Sequence, residues 1–273
     1  MLSFFQLVVL ALLQGVTEQF PVSSLGHTLL LPALLGWPLD QKAPELLPFL
    51  VMLHLGTAVA LVIYFWRDWL ELIGGFFAWL RGQQTQPGRV AWLLIAATVP
   101  AGLIGLIFRN TFDRLFRDPK LVAGALMVNG LILLVGELLR RRAAGSELGR
   151  MSALSFGQAV LVGIAQIGAL IPGLSRSGLT MTAGLAVGLS HEAAARFAFL
   201  LATPIILAAA LLEVPKLLHN HAHLDQALLG GVLTGIAAYF STAFLVRYFH
   251  VGKLNPFAYY CIAAGLLAFA LLR

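Results

Sequence analysis

Apolar residues run almost unbroken along this chain, and the polar interruptions divide it into elements. Runs near the ~20 residues needed to cross a bilayer predict spans over 47–66, 90–108, 121–139, 196–212, 228–247 and 256–272. Between the first two, W-L-E-L-I-G-G-F-F-A-W-L and its flanking arginines predict an amphipathic helix lying in the interface within Arg67 to Arg89. Trp66, Trp69 and Trp79 suit an aromatic belt there. Gly36 to Glu45, with Pro38 and Pro44, reads as a loop.

Two regions break the pattern in their middle. Leu2 to Leu35 is too long for one span and too short for two with a turn, and its centre, Gln14 to His27, reads Q-G-V-T-E-Q-F-P-V-S-S-L-G-H. Ala153 to Leu189 has a similar centre, Gln166 to Thr180, reading Q-I-G-A-L-I-P-G-L-S-R-S-G-L-T. Proline stops a helix, and irregular backbone at membrane depth is tolerated only where it lines a cavity. Each region therefore predicts a re-entrant hairpin of two half-helices.

The chain reads twice, with pseudo-repeats 1–142 and 150–273, each a re-entrant helical hairpin plus three transmembrane helices, inside one membrane domain of 1–273. Gln14…Phe20-Pro21…Ser24 matches Gln166…Ile171-Pro172…Ser175, and Phe49-Leu50 matches Phe199-Leu200. Three crossings per half is odd, so the second half is inverted. Inverted repeats of this kind set two broken elements tip to tip near the midplane.

Composition agrees with this pattern. Hydrophobic residues make up 59% and charged residues 11% of the 273, against about 25% charged in soluble domains, and mean hydropathy is +0.88. The expected class is an all-α polytopic membrane protein with no room for a separate soluble domain. The N-terminus has no basic segment or small-residue cleavage site, so no signal peptide is expected. Cys261, the single cysteine, reads as packing. The net charge of +6 is assigned mainly to loop arginines, and no nucleic-acid partner is expected. Arg67, Arg81, Arg89, Arg140 to Arg142, Arg247 and Lys253 outweigh Arg109, Arg114, Arg117, Lys120 and Lys216 on the side of the termini. That bias places both termini outside the cytoplasm.

Three constellations carry candidate chemistry. Gln14 and Glu18, four apart, share a helical face; they read as oxygen ligands for a hard divalent cation or as a polar pair packing helices. Ser23 and Ser24 follow Pro21 and start the returning half-helix, where free amides favour a phosphate, with His27 one turn on. Pro172 to Thr180 joins Gly173, Ser175, Ser177 and Thr180 to Arg176, whose planar fork suits phosphate oxygens. Together these are parts for phosphoryl transfer: an anion clamp, a metal site, a nucleophile and a base.

At these residues the chain resembles the bacterial undecaprenyl-diphosphate phosphatase family, the bacitracin-resistance proteins. One signature is Gln14…Glu18 with P-V-S-S-L-G-H from Pro21 to His27, and another is P-G-L-S-R-S-G-L-T from Pro172 to Thr180. Phe49 to Thr57 and Arg196 to Pro204 also look like family segments, so the likeness runs nearly end to end. The resemblance implies removal of the terminal phosphate of undecaprenyl diphosphate, recycling the lipid carrier of cell-wall synthesis, with Mg²⁺ or Ca²⁺ as cofactor. It implies Glu18 as metal or diphosphate partner and Arg176 as phosphate clamp. Ser24 or His27 is the nucleophile, the other assisting, and His54 lines the pocket or packs. It also implies a multi-pass protein of the bacterial inner membrane whose site opens to the periplasmic or outer face, with the bilayer and the polyprenyl lipid as partners and a homodimer allowed. Gln14 departs from the family, where many members have Glu, and brings no charge.

The rival class is a transporter or flippase of an anionic polyprenyl phosphate lipid, since inverted repeats with broken helices are carrier architecture. A nucleophile–base pair favours the enzyme. The acid-phosphatase-like lipid phosphatases also use an S-R pair and a histidine, but their K-x-x-x-x-x-x-R-P element is absent. His219, His221 and His223 read as loop histidines that bind nothing specific, and Glu137 and Glu213 as span-end residues snorkelling to water.

Overall fold

The computed structural model describes residues 3–37, 46–108, 118–142, 149–219 and 224–272. The loop prolines Pro38 and Pro44, the arginines Arg109, Arg114 and Arg117, and His221 and His223 lie outside the described residues, as do the side chains of Arg142, Glu213, Lys216 and His219.

Local capping rules start the helices. α1 (Phe4–Thr17) opens with a capping box in which Ser3 accepts from Gln6 N and the Gln6 side chain reaches back. The same device, Ser155 with Gln158, opens α7 (Phe156–Ile167) in the second half. α2 (Ser24–Leu35) is capped by Ser23 and ends at the left-handed Gly36, and α8 (Arg176–Ala186) is capped by Ser175. The other helices are α3 (Leu46–Tyr64), α4 (Trp66–Leu80), α5 (Gln86–Ile107), α6 (Pro119–Arg142), α9 (His191–His219), α10 (Leu224–Tyr248) and α11 (Asn255–Leu271). No strand occurs among the described residues.

Four of these helices, α5, α6, α9 and α10, are long and apolar enough to cross a membrane, and the bent pair α3–α4 makes a fifth candidate. α11, with 17 residues, is about 25 Å long, close to the ~30 Å hydrocarbon core. The chain is an all-α, multi-pass membrane protein. α4 turns 82° from α3, which suits the amphipathic segment expected there. It stops sooner than Arg89, because Gly82 adopts φ +82° and Thr85 already caps α5. The helices α1, α2, α7 and α8 have 14, 12, 12 and 11 residues, each only about 17–21 Å long.

Helix pairing brings the halves together. α1 packs on α10, α7 packs on α5, α3 packs on α9 and α10, and α6 packs on α11. Small residues allow the closest approaches, as expected where lipid gives no hydrophobic drive between helices. A Cβ at Gly15 would lie 2.4 Å from Thr234 O, and one at Gly163 would lie 2.2 Å from Ala97 O. Hydroxyls add to the α1–α10 seam: Thr234 Oγ1 donates to Ala11 O at 2.9 Å and Ser241 Oγ to Val16 O at 3.0 Å.

Glu137 does not snorkel. It is 5% exposed, and its Oε1 accepts from His191 Nε2 at 2.8 Å and from the Leu254 backbone N–H at 2.6 Å. Three helix ends converge at this point and supply the donors that water would otherwise provide, so α6 is tied to the starts of α9 and α11.

Candidate active site

Glu18 is the hub of a buried polar cluster. It ends α1, its N–H bonding back to Gln14 O at 2.9 Å, and it is 7% exposed. Oε1 accepts from Arg176 Nη2 at 2.7 Å. Oε2 accepts from Gln14 Nε2 at 2.9 Å and from the Ser24 hydroxyl, and lies 3.3 Å from His54 Nε2. His54 Nδ1–H is committed to Leu50 O at 2.8 Å, so the Nε2 contact is an ion pair when the ring carries both protons. The cluster thus draws on α1, α2, α3 and α8. Two of its polar atoms have no protein partner, Gln14 Oε1 and Arg176 Nη1.

The turns before α2 and α8 place these groups by the same device. Ser23 Oγ accepts from Gly26 N at 3.2 Å, and Ser175 Oγ from Gly178 N at 3.2 Å. One turn on, Thr28 Oγ1 donates to Ser24 O at 3.0 Å and Thr180 Oγ1 to Arg176 O at 2.8 Å. By capping geometry, Ser23 corresponds to Ser175 and Ser24 to Arg176, one residue off the match read from sequence. Gly173 is the extra residue in the second turn. Ser23 adopts φ +66°, the one non-glycine residue at positive φ among those described, a conformation that costs roughly 1–3 kcal/mol and concentrates at functional sites.

The two turns touch. A Cβ at Gly26 would lie 3.1 Å from Gly173 Cα, and Gly173 itself has φ +100°, which glycine alone adopts without strain. Ser177 Oγ donates to Phe20 O at 3.1 Å and lies 3.0 Å from Ser175 Oγ. Ser175, Ser177 and Thr180, at 2%, 1% and 1% exposure, direct these bonds to the turns themselves, leaving Arg176 as the outward-reaching group of that segment.

Ser24 and His27 are not brought together. His27 Nδ1 donates to Ser23 O at 2.7 Å, which leaves Nε2 to accept from Tyr260 OH at 2.7 Å, and the two rings stack 5.6 Å apart. Ser24 is paired instead with Glu18.

Residues 7–267 match the family model for the bacitracin resistance protein BacA. The chain belongs to that family. Curated relatives include undecaprenyl-diphosphatase 2 of Burkholderia thailandensis, 57% identical over 266 residues, and undecaprenyl-diphosphatase 1 of Burkholderia pseudomallei, 56% identical over 266 residues; each alignment covers 97% of this chain and 95% of the relative. An undecaprenyl-diphosphatase of Acidiphilium cryptum is 48% identical over 278 residues, covering 97% of this chain and 96% of its own.

In this family member the donor set for a cation is small. No group of three or more His, Cys, Asp or Glu able to hold a metal occurs among the described residues. What the site offers is one carboxylate and the free Gln14 Oε1, which fits a hard cation bound chiefly through substrate oxygens and water. Two residues absent from the sequence-derived site join it in space. Tyr260 engages His27, and Asn129 of α6 reaches both turns. Asn129 is not among the residues singled out from the sequence, where its one available signal is being a lone amide in an apolar run; nothing there names its partners.

Proposed function

We propose that this chain is an integral membrane phosphatase that hydrolyses undecaprenyl diphosphate to undecaprenyl phosphate and inorganic phosphate, recycling the lipid carrier of cell-wall synthesis. Family membership and the names its relatives carry support the activity. The observation that carries the assignment to residues is the Ser24 hydroxyl donated to a Glu18 carboxylate that also binds Arg176. A carrier has no need of a hydroxyl paired with a base.

The geometry favours Ser24 as the nucleophile. Arg176, with Nη1 unpartnered, takes the terminal phosphate, helped by the free amides at the start of α2. Ser24 Oγ attacks the terminal phosphorus and its proton passes to Glu18 Oε2. The bond from that phosphorus to the bridging oxygen breaks, and undecaprenyl phosphate leaves with the electron pair. Water then attacks the phosphoserine phosphorus, giving its proton to His27 Nε2 in place of the Tyr260 hydroxyl held there. The bond from phosphorus to Ser24 Oγ breaks, Oγ takes its proton back from Glu18, and inorganic phosphate leaves. Arg176 neutralises charge on the phosphoryl oxygens, commonly the largest contribution to such catalysis. Gln14 Oε1 and Glu18 would hold a Mg²⁺ or Ca²⁺ ion, and the ion would supply further charge neutralisation. His54 would contact the inner phosphate beside Glu18.

The architecture we infer is an inverted repeat in the bacterial cytoplasmic membrane, with α1–α2 and α7–α8 as re-entrant hairpins and the site opening to the outer face. The matched capping of the turns and the exchange of partners between halves, α1 on α10 and α7 on α5, support it.

The deciding measurement is phosphate release from a polyprenyl diphosphate by purified protein, with and without EDTA. Glu18→Gln and Arg176→Ala should lower kcat/KM by about 10²-fold or more, and EDTA should stop turnover until Mg²⁺ or Ca²⁺ is restored. Wild-type release no faster than that of either variant would defeat the hydrolase reading and leave a carrier.

A further inference from the structure

Asn129 is fully buried in the middle of α6. Its Nδ2 donates to Pro21 O at 2.9 Å and its Oδ1 accepts from Ser175 N at 2.9 Å, while the Cys261 thiol lies 3.4 Å from Nδ2. The two main partners are backbone groups of the two turns, 108 and 46 residues away in sequence. A carbonyl can only accept and an N–H can only donate, so these partners define the amide orientation. Only a side chain with both a donor and an acceptor satisfies them together.

Pro21 lies between Glu18 and Ser24, and Ser175 immediately precedes Arg176. We propose that Asn129 is a positioning residue for the reaction: its amide clamps the two turns in the one register that sets Arg176 against Glu18 and Ser24. The proposal rests on the phosphatase reading for its kinetic consequence, though not for its geometry. Ser177 and the Gly26–Gly173 contact hold the turns near each other; Asn129 adds a directional tie from a third helix to both. Without it the Ser175 N–H loses its partner and the Pro21 carbonyl keeps only the weak Cys261 thiol donor at 3.8 Å, and the guanidinium is free to shift relative to the carboxylate. A displacement of about 1 Å can lower turnover roughly 10²-fold.

The test uses the purified full chain as wild type, Asn129→Ala, Arg176→Ala and the double variant. Asn129→Ala should lower kcat by about 30-fold or more with KM within about threefold, and should add little to the loss caused by Arg176→Ala, because the two act through one interaction. Hydrogen exchange of peptides covering 19–23 and 173–178 should accelerate, while peptides from α10 exchange as in wild type. Losses that multiply in the double variant, or turns whose exchange is unchanged, would overturn the proposal. Should Asn129→Ala fail to fold, Asn129→Asp, measured at a pH where the new carboxyl is ionised, keeps the acceptor for Ser175 N–H and removes the donor to Pro21 O. It should accelerate exchange at 19–23 more than at 173–178, and equal acceleration at both turns would count against the clamp. If wild type releases no phosphate, the phosphatase reading fails, and the exchange data alone still decide whether Asn129 clamps the turns.

Discussion

Glu18 and Arg176 are 158 residues apart in the chain, and their side chains meet at 2.7 Å inside the membrane domain. Neither would be stable there alone, because an unpaired charge in a low-dielectric interior is costly. Their pairing joins a helix end of the first half to a helix start of the second. It also leaves one buried guanidinium nitrogen without a protein acceptor.

That spare nitrogen separates arginine from lysine. Arg176→Lys keeps a positive charge but offers a single point donor, which cannot hold Glu18 and a phosphate as a fork does. We expect kcat/KM to fall at least about tenfold for lysine and about 10²-fold for alanine, measured as phosphate release. Full activity with lysine would show that charge alone suffices.

Tyr260 and His27 make a second separable pair. Tyr260→Phe retains the stacked ring and removes only the O–H donated to Nε2. Turnover should drop by less than about tenfold, whereas His27→Ala should lose the 10²-fold or more typical of a general base. Equal losses in stopped assays of the two variants would assign Tyr260 a direct part in the chemistry.

Gln14→Glu sets a second carboxylate beside Glu18, where the amide now donates at 2.9 Å. Two adjacent carboxylates repel unless a cation lies between them. The cation concentration for half-maximal activity should fall about tenfold, since ligand charge tunes affinity, with both proteins inactive in excess EDTA. Titration of Mg²⁺ and Ca²⁺ against both proteins checks this; an unchanged half-maximal concentration would remove Gln14 from the cation site.

Glu137 should matter for stability, not for turnover. Glu137→Ala strips the buried Leu254 N–H and the His191 ring of their shared acceptor. A destabilisation of about 2 kcal/mol is expected from the orphaned donors. It should appear as a lower thermal unfolding midpoint in detergent, with phosphate release per folded molecule nearly unchanged. A midpoint equal to wild type would return Glu137 to the snorkelling role its sequence position suggests.

The amino-acid sequence by itself determined the local events: apolar runs long enough for spans, prolines that break two helices, and serines that cap the returning half-helices. It also marked Glu18, Ser24 and Arg176, because polar groups amid such runs stand out and two family signatures contain them. The partners of those groups were decided only in three dimensions. His54 on Glu18, Tyr260 on His27 and Asn129 across both turns depend on how each helix is rotated against its neighbours. In a soluble bundle an amphipathic stripe would mark that rotation. In a bilayer the outward face is as apolar as the inward one, so α3 and α6 carry no stripe, and packing alone chose which residues meet.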